Sequence, residues 1–127
     1  TDENPVYYLQ YAHARISNVI KHSKLKGIES FEDGNIGLLK EKEEIDILKV
    51  ISEFEEIMEL CRVTLEPMHL ANYLHKLATC FHKFYQKHRV VIEDKELSKS
   101  RLKLIKSIKI IFSNCLSILG IEAPENM

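Results

Sequence analysis

Apolar residues recur at spacings of three and four along nearly the whole chain, the period of helices that bury one face. Leu9, Ala12, Ile16 and Ile20 mark the first stripe. Asn4-Pro5 is its start signal: Asn can cap the first turn, and Pro at the first helical position loses an N–H with no helical partner. This helix is expected to run to about Leu25 and to stop at Gly27. A loop with Gly34 and Gly37 follows, then a helix from about Leu38 to Phe54 with Ile45, Leu48, Ile51 and Phe54 facing inward. Ile57, Met58, Leu60 and Cys61 suggest a short third helix, continuous with the second or nearly so. Glu66-Pro67 marks another start, and Leu70, Leu74, Leu77, Phe81 and Phe84 carry that helix to about Lys87. Arg89–Ser98 reads as a linker. The last helix is placed at Lys99 to Leu119, with Leu102, Ile105, Phe112, Leu116 and Leu119 inside. Gly120 ends it, and Pro124 lies beyond. The pattern predicts an all-α antiparallel bundle of about five helices.

Length and composition narrow this further. The 127 residues suit one domain, residues 1–127, and 45% hydrophobic residues are enough to bury a core. No apolar run approaches the ~20 residues of a membrane span. The Thr1-Asp-Glu-Asn opening reads as the start of a piece of a longer protein, with no secretory leader. Cys61, Cys80 and Cys115 are an odd set in apolar surroundings, which argues against a disulfide framework and for a reducing compartment, the cytoplasm. The net charge of −1 conceals segregation: residues 29–66 hold 12 acids and 4 bases, the rest 7 acids and 14 bases.

Catalytic chemistry is hard to place on this chain. There is no G-x-x-x-x-G-K-[ST] loop, no G-x-G-x-x-G, no C-x-x-C and no H-E-x-x-H. His69 and His75, like His82 and His88, are six apart and so on different helix faces. No metal site and no catalytic residue is expected, and the cysteines read as small hydrophobes.

The first helix does carry a second stripe. Tyr8, Tyr11 and Arg15 lie roughly 100–160° around the helix from Leu9, on a face the core does not need. Two aromatic rings and a guanidinium can stack on unpaired bases and grip phosphate, which suits single-stranded nucleic acid. Taken alone, the stripe is better read as two tyrosines packed under a neighbouring helix, with Arg15 paired to the acidic segment.

The stretch Asn4-Pro-Val-Tyr-Tyr-Leu-Gln-Tyr-Ala-His-Ala-Arg-Ile16 resembles the opening of the C-terminal anticodon-binding domain of arginyl-tRNA synthetases. The resemblance continues through Leu65-Glu-Pro-Met-His-Leu-Ala-Asn-Tyr-Leu74, Leu77-Ala, Phe81-His-Lys-Phe-Tyr85, Arg89-Val and Arg101-Leu-Lys-Leu104. It closes on Leu119-Gly-Ile-Glu-Ala-Pro-Glu-Asn-Met127, so it covers almost the whole chain in order. Four places depart from or fall outside the family pattern. Glu55 stands where Pro often follows Phe, Ser100-Arg-Leu replaces Ala-Arg-Leu at the namesake motif, Cys115 replaces a small residue, and the Gly34 loop matches nothing. Lys21-His22-Ser23-Lys24 also matches K-x-S-K, a fragment of a synthetase signature loop, but on a helix end it reads as a chance match.

The resemblance implies a helical domain of the DALR type that binds the anticodon loop of tRNA(Arg) through Tyr8, Tyr11, Arg15, Tyr85 and Met127. Lys83, Lys87 and Arg89, with Lys99, Arg101 and Lys103 on the last helix, are then expected to meet phosphates, while the acidic segment faces away or toward the rest of the enzyme. The central anticodon cytosine is expected in a pocket among Tyr11, Tyr85 and Met127. The parent enzyme would be a class I ligase using ATP and Mg2+. The domain itself would hold no cofactor and catalyse nothing, acting as a monomer beside the catalytic domain of the same chain. A helical protein-interaction module, or the equivalent domain of a cysteine or glycine synthetase, is the alternative.

Overall fold

The computed structural model describes residues 4–127. Five α-helices occupy Pro5–Ser23 (α1), Lys42–Ser52 (α2), Phe54–Thr64 (α3), Met68–Lys87 (α4) and Lys95–Ile118 (α5). Short 3-10 turns cover Lys24–Lys26 and Ile36–Leu38. No strand occurs among the described residues.

The first helix begins as its sequence dictates. The Asn4 side chain accepts hydrogen bonds from the backbone N–H groups of Val6 (3.0 Å) and Tyr7 (3.2 Å). Gly27, at φ +92°, ends the 3-10 turn after α1 in the left-handed conformation that glycine adopts without steric cost.

Two other starts differ from the sequence expectation. Leu38 belongs to a 3-10 turn, and α2 begins at Lys42. There the Glu44 carboxylate accepts the Glu41 N–H at 3.0 Å, a local bond that fixes the first turn. The last helix begins four residues earlier than Lys99, because Asp94 caps it by accepting the Leu97 N–H at 3.1 Å. Ser98 also clasps Ile92, donating to its carbonyl and accepting its N–H (2.8 Å), so the loop is short. A single residue, Glu53, separates α2 from α3.

Helix α4 is the central element and packs against α1, α2, α3 and α5. Its stripe is as the sequence predicts: Leu70, Leu74, Leu77, Phe81 and Phe84 are buried. They meet Leu9, Ala12 and Ile16 of α1 and Leu102, Ile105, Phe112 and Leu116 of α5 in one core.

The inward face of α2 is rotated from the expected one. Glu44, Ile47 and Val50 are buried, Leu48, Ile51 and Phe54 pack at the margin, and Ile45 is half-buried. A count of apolar positions misses this phase because one buried residue is a carboxylate. Glu44 Oε2 accepts from Arg101 Nε at 2.7 Å, and both side chains are almost wholly inside.

The acidic segment therefore does not simply face away. Its members neutralise cations of the other helices: Glu44 meets Arg101, Glu43 meets Lys87 (3.3 Å), Glu53 meets Lys76 (3.0 Å) and Asp33 meets Lys99 (3.3 Å). The Gly34 loop acquires a role as well. A Cβ on Gly34 would lie 2.7 Å from the Lys99 carbonyl oxygen, so the loop backbone lies directly on α5.

Cys61, Cys80 and Cys115 are free thiols. Burial pushes the Cys115 thiol up to about 11, and burial likewise raises Cys80. Both thus stay protonated and unreactive near neutral pH.

Candidate nucleic-acid interface

The second half of α1, the end of α4 and the segment that follows it enclose an open cleft of about 810 Å³. Tyr11, Arg15, Tyr85 and Met127, four residues spread over the length of the sequence, line it together.

Arg15 is the centre of this arrangement. Its guanidinium carbon sits 4.7 Å from the Tyr11 ring centroid and 4.5 Å from that of Tyr85, so the cation joins two aromatic faces from two helices. Arg15 Nη2 also donates to the Tyr11 hydroxyl at 2.6 Å, and Nη1 lies 3.3 Å from His82 Nδ1. Each cation–π contact contributes roughly 0.5–2 kcal/mol, enough to hold the rings in fixed orientation. Pairing of Arg15 with the acidic segment does not occur. Tyr85 leans on Phe81 at 5.8 Å while 37% of the residue stays exposed, so it is part core and part surface.

Tyr8 is a correction. It turns toward α4, lies between His75 and His82 (5.0 and 5.1 Å between centroids), and its hydroxyl is 3.3 Å from the Thr79 hydroxyl. It cements α1 to α4. The exposed aromatic is Tyr7, which stacks on Tyr11 at 6.2 Å with an interplanar angle of 11°. The i, i+4, i+8 run of Tyr7, Tyr11 and Arg15 was the signal in the sequence, since those spacings share one helix face.

Met127 reaches the cleft because the tail is fastened to the bundle. The buried His13 ring contacts the Pro124 carbonyl through Nδ1 (2.8 Å) and the Ser113 hydroxyl through Nε2 (3.0 Å). Ser17 donates to the Glu125 carboxylate at 2.7 Å, Lys109 approaches it at 3.3 Å, and Gln10 donates to the Glu122 carbonyl. The Ser17 hydroxyl, and after it Lys109, hold the Glu125 carboxyl below its usual range. Pro124 alone would not have secured the tail.

The expected phosphate contacts divide. Lys87 and Arg89 line the cleft, and His22 and Lys26, not among the expected contacts, join them. Lys83 is exposed but outside the cleft, near Cys80 and α2. Lys99, Arg101 and Lys103 are structural. Lys99 pairs with Asp33, Lys103 donates to the carbonyls of Glu32 and Gly34, and Arg101 is buried against Glu44. Positions in sequence cannot show this, because a lysine facing a loop backbone and a lysine facing solvent share the same spacing.

Arg101 nevertheless serves the cleft indirectly. Its Nη1 donates to the Arg89 carbonyl at 2.8 Å, fixing the wall segment. Immediately before Arg89, His88 Nε2 contacts Glu43 at 2.8 Å. That bond, assisted by Lys87, holds the Glu43 carboxyl down to about 2.

Among the described residues, no group of three or more His, Cys, Asp or Glu could hold a metal ion, and no helix is long and apolar enough to cross a membrane.

The chain is 46% identical over 127 residues to an arginine–tRNA ligase of Geobacter metallireducens, and 43% identical over 129 residues to one of Caldanaerobacter subterraneus. These alignments cover 98% and 100% of the chain but only 23% of each relative, so the chain spans about a quarter of the length of the proteins it matches. A solved structure described as an arginyl-tRNA synthetase of Campylobacter jejuni superposes with a TM-score of 0.79 at 27% identity, over all of this chain and 27% of that one. The family model for the DALR anticodon binding domain matches residues 9–127, and the chain belongs to that family.

Proposed function

We propose that the chain reads the anticodon of tRNA(Arg) as the C-terminal domain of an arginine–tRNA ligase. The observation that carries this is the convergence of Tyr11, Arg15, Tyr85 and Met127 on one cleft, with Lys26, Lys87 and Arg89 at its margin. Unpaired loop bases need flat apolar faces and edge-directed hydrogen bonds, and the cleft supplies both.

The central anticodon base is cytosine, which presents two neighbouring acceptors, O2 and N3, on its pairing edge. A guanidinium presents donors in a fixed fork. Uracil carries a hydrogen on N3, which sets donor against donor. Arg15, held between two rings, is in this reading the residue that tells the two bases apart, while Tyr85 and Met127 provide the stacking faces. The ligation itself, with ATP and Mg2+, falls to chain outside these 127 residues, in the cytoplasm. A monomer fits, since a partner copy over α1 and α4 would close the cleft; a stable dimer on sizing chromatography would count against it.

Fluorescence anisotropy with an arginine-type anticodon stem-loop tests this, alongside a loop carrying uracil at the central position. The cytosine loop should bind more tightly, and Tyr85→Ala should weaken it by roughly 1–3 kcal/mol, the usual worth of one stacked base. Equal affinity for both loops, unchanged by Tyr85→Ala, would sink the proposal. Binding insensitive to the anticodon, with an apolar helix as competitor, would favour a protein-interaction module instead.

A further inference from the structure

Beside the cleft lies a second open groove of about 520 Å³, and the two share Lys26, Arg89 and Val91. Its floor is apolar, made of Ile28 with Val91 and Ile92. Its rim carries the cations Lys26, Arg89 and Lys95 and a single acid, Glu93. Among the described residues, the structure leaves these cations without carboxylate partners, unlike several others in the chain. Lys76, Lys87, Lys99, Arg101 and Lys109 are neutralised by carboxylates, whereas among the described residues Lys26, Arg89 and Lys95 make no ion pair within 4 Å.

The backbone keeps the rim together. Gly27 takes its left-handed conformation between Lys26 and Ile28, and a Cβ there would come within 3.8 Å of Lys95 Nζ. The ammonium of α5 thus lies over the turn that ends α1. On the other side, the Arg89 carbonyl is tied to Arg101, so the third cation sits on a braced segment. An apolar floor under three cations matches a nucleotide with its phosphodiester: ribose and base edge below, phosphate oxygens above.

We propose that this groove is a second RNA subsite, holding the sugar–phosphate of the loop nucleotide adjacent to the base in the cleft. The inference rests on the anticodon-reading function proposed above and adds to it a division of labour. The cleft reads base identity, and the groove grips backbone without regard to sequence. Its occupant is single-stranded RNA because the groove opens directly into the base-reading cleft at Lys26 and Arg89. A strand leaving one hollow enters the other.

The test uses the same stem-loops with the variant Lys95→Ala, whose residue lines the groove and not the cleft, and a matched control, Lys106→Ala, which removes equal charge away from both hollows. Neutralising one phosphate of a single strand contributes about 0.7 to the slope of log affinity against log salt. Losing one contact should lower the slope by about 0.7, so the fall in affinity between about 50 and 200 mM salt shrinks about 2.6-fold. The ratio of affinities for the cytosine and uracil loops should stay the same, and the control should leave the slope alone.

An unchanged slope in the Lys95→Ala variant, or an equal loss in the control, overturns the subsite while leaving the anticodon reading intact. A chain that shows the slope effect but no preference for cytosine overturns the reading of the cleft and retains the groove. Displacement of the loop by an acidic peptide at equal charge, with no slope difference between the variants, would assign the groove to a protein. No binding of either loop by the unsubstituted chain removes both proposals.

Discussion

Arg101 offers the sharpest test of how this domain is held together, because its sequence position invites one role and its surroundings assign another. Arg101→Leu would keep much of the apolar stem volume while removing the guanidinium. Glu44 would then remain 1% exposed, with the oxygen that had accepted Arg101 Nε at 2.7 Å facing no cation. Removing one partner of a buried ion pair costs about 3–5 kcal/mol, mostly the penalty of the carboxylate left behind. The lost bond from Nη1 to the Arg89 carbonyl is part of the same substitution and is not added separately. Taking about 4 kcal/mol and an unfolding entropy of about 2.1 cal/mol/K per residue, the melting midpoint of the 127-residue chain should fall by about 15 °C. Such a loss is a large part of the ~5–15 kcal/mol that holds a typical domain.

Thermal unfolding followed by circular dichroism reads the effect, and a double-mutant cycle apportions it. Replacing both partners, Glu44→Leu with Arg101→Leu, should recover all but about 1 kcal/mol, since neither charge is then stranded. A midpoint within about 4 °C of the unsubstituted chain for Arg101→Leu alone would correspond to roughly 1 kcal/mol and refute the ion-pair reasoning. Lost RNA affinity with an unchanged midpoint would return Arg101 to the phosphate role that its sequence position suggests.

Other perturbations test the same packing. Gly34→Ala should destabilise by about 1–3 kcal/mol, because its Cβ meets backbone of α5 that cannot rotate away; urea unfolding measures it. Leu65 ends α3 at φ +58° while largely exposed, so Leu65→Gly should relieve the left-handed strain and raise stability by about 0.5–1 kcal/mol, and a lowered urea midpoint would contradict this. The carboxyls of Glu43 and Glu125 sit below their unfolded value of 4.5, so their stabilising contribution is complete above that pH and is lost as pH falls through the folded values. Urea midpoints should therefore drop on acidification from pH 4.5 toward about 2, and Glu43→Gln should flatten that slope. Ser17→Ala should loosen the tail and weaken binding of the cytosine loop; equal binding would show that Met127 is held by other contacts.

Much of this protein was legible in its sequence for a simple reason: helices record themselves in local spacing. The stripes of α1, α4 and α5, the Asn4 cap and the Gly27 and Gly120 stops are interactions within a few residues, and all are where the pattern puts them. Tyr11, Arg15, Tyr85 and Met127 were likewise identifiable, through the α1 face and the family resemblance, and the fold brings them to one cleft. Periodicity fails where burial involves charge. Glu44 and Arg101 lie inside, and no hydrophobic pattern marks two polar residues 57 positions apart as partners.

Tertiary structure alone decided which cations are spent. From sequence, residues 29–66 are an acidic block set against a basic remainder. In the fold, α2 lies against α4, the Gly34 loop lies on α5, and carboxylates neutralise Lys76, Lys87, Lys99 and Arg101. Lys26, Arg89 and Lys95 are left without such partners around one groove. It also decided that Tyr7 faces outward and Tyr8 inward, since the choice depends on where α4 lies against α1. Opposite charges attract across whatever distance the chain closes, and that distance is set by packing, which the linear order of residues does not contain.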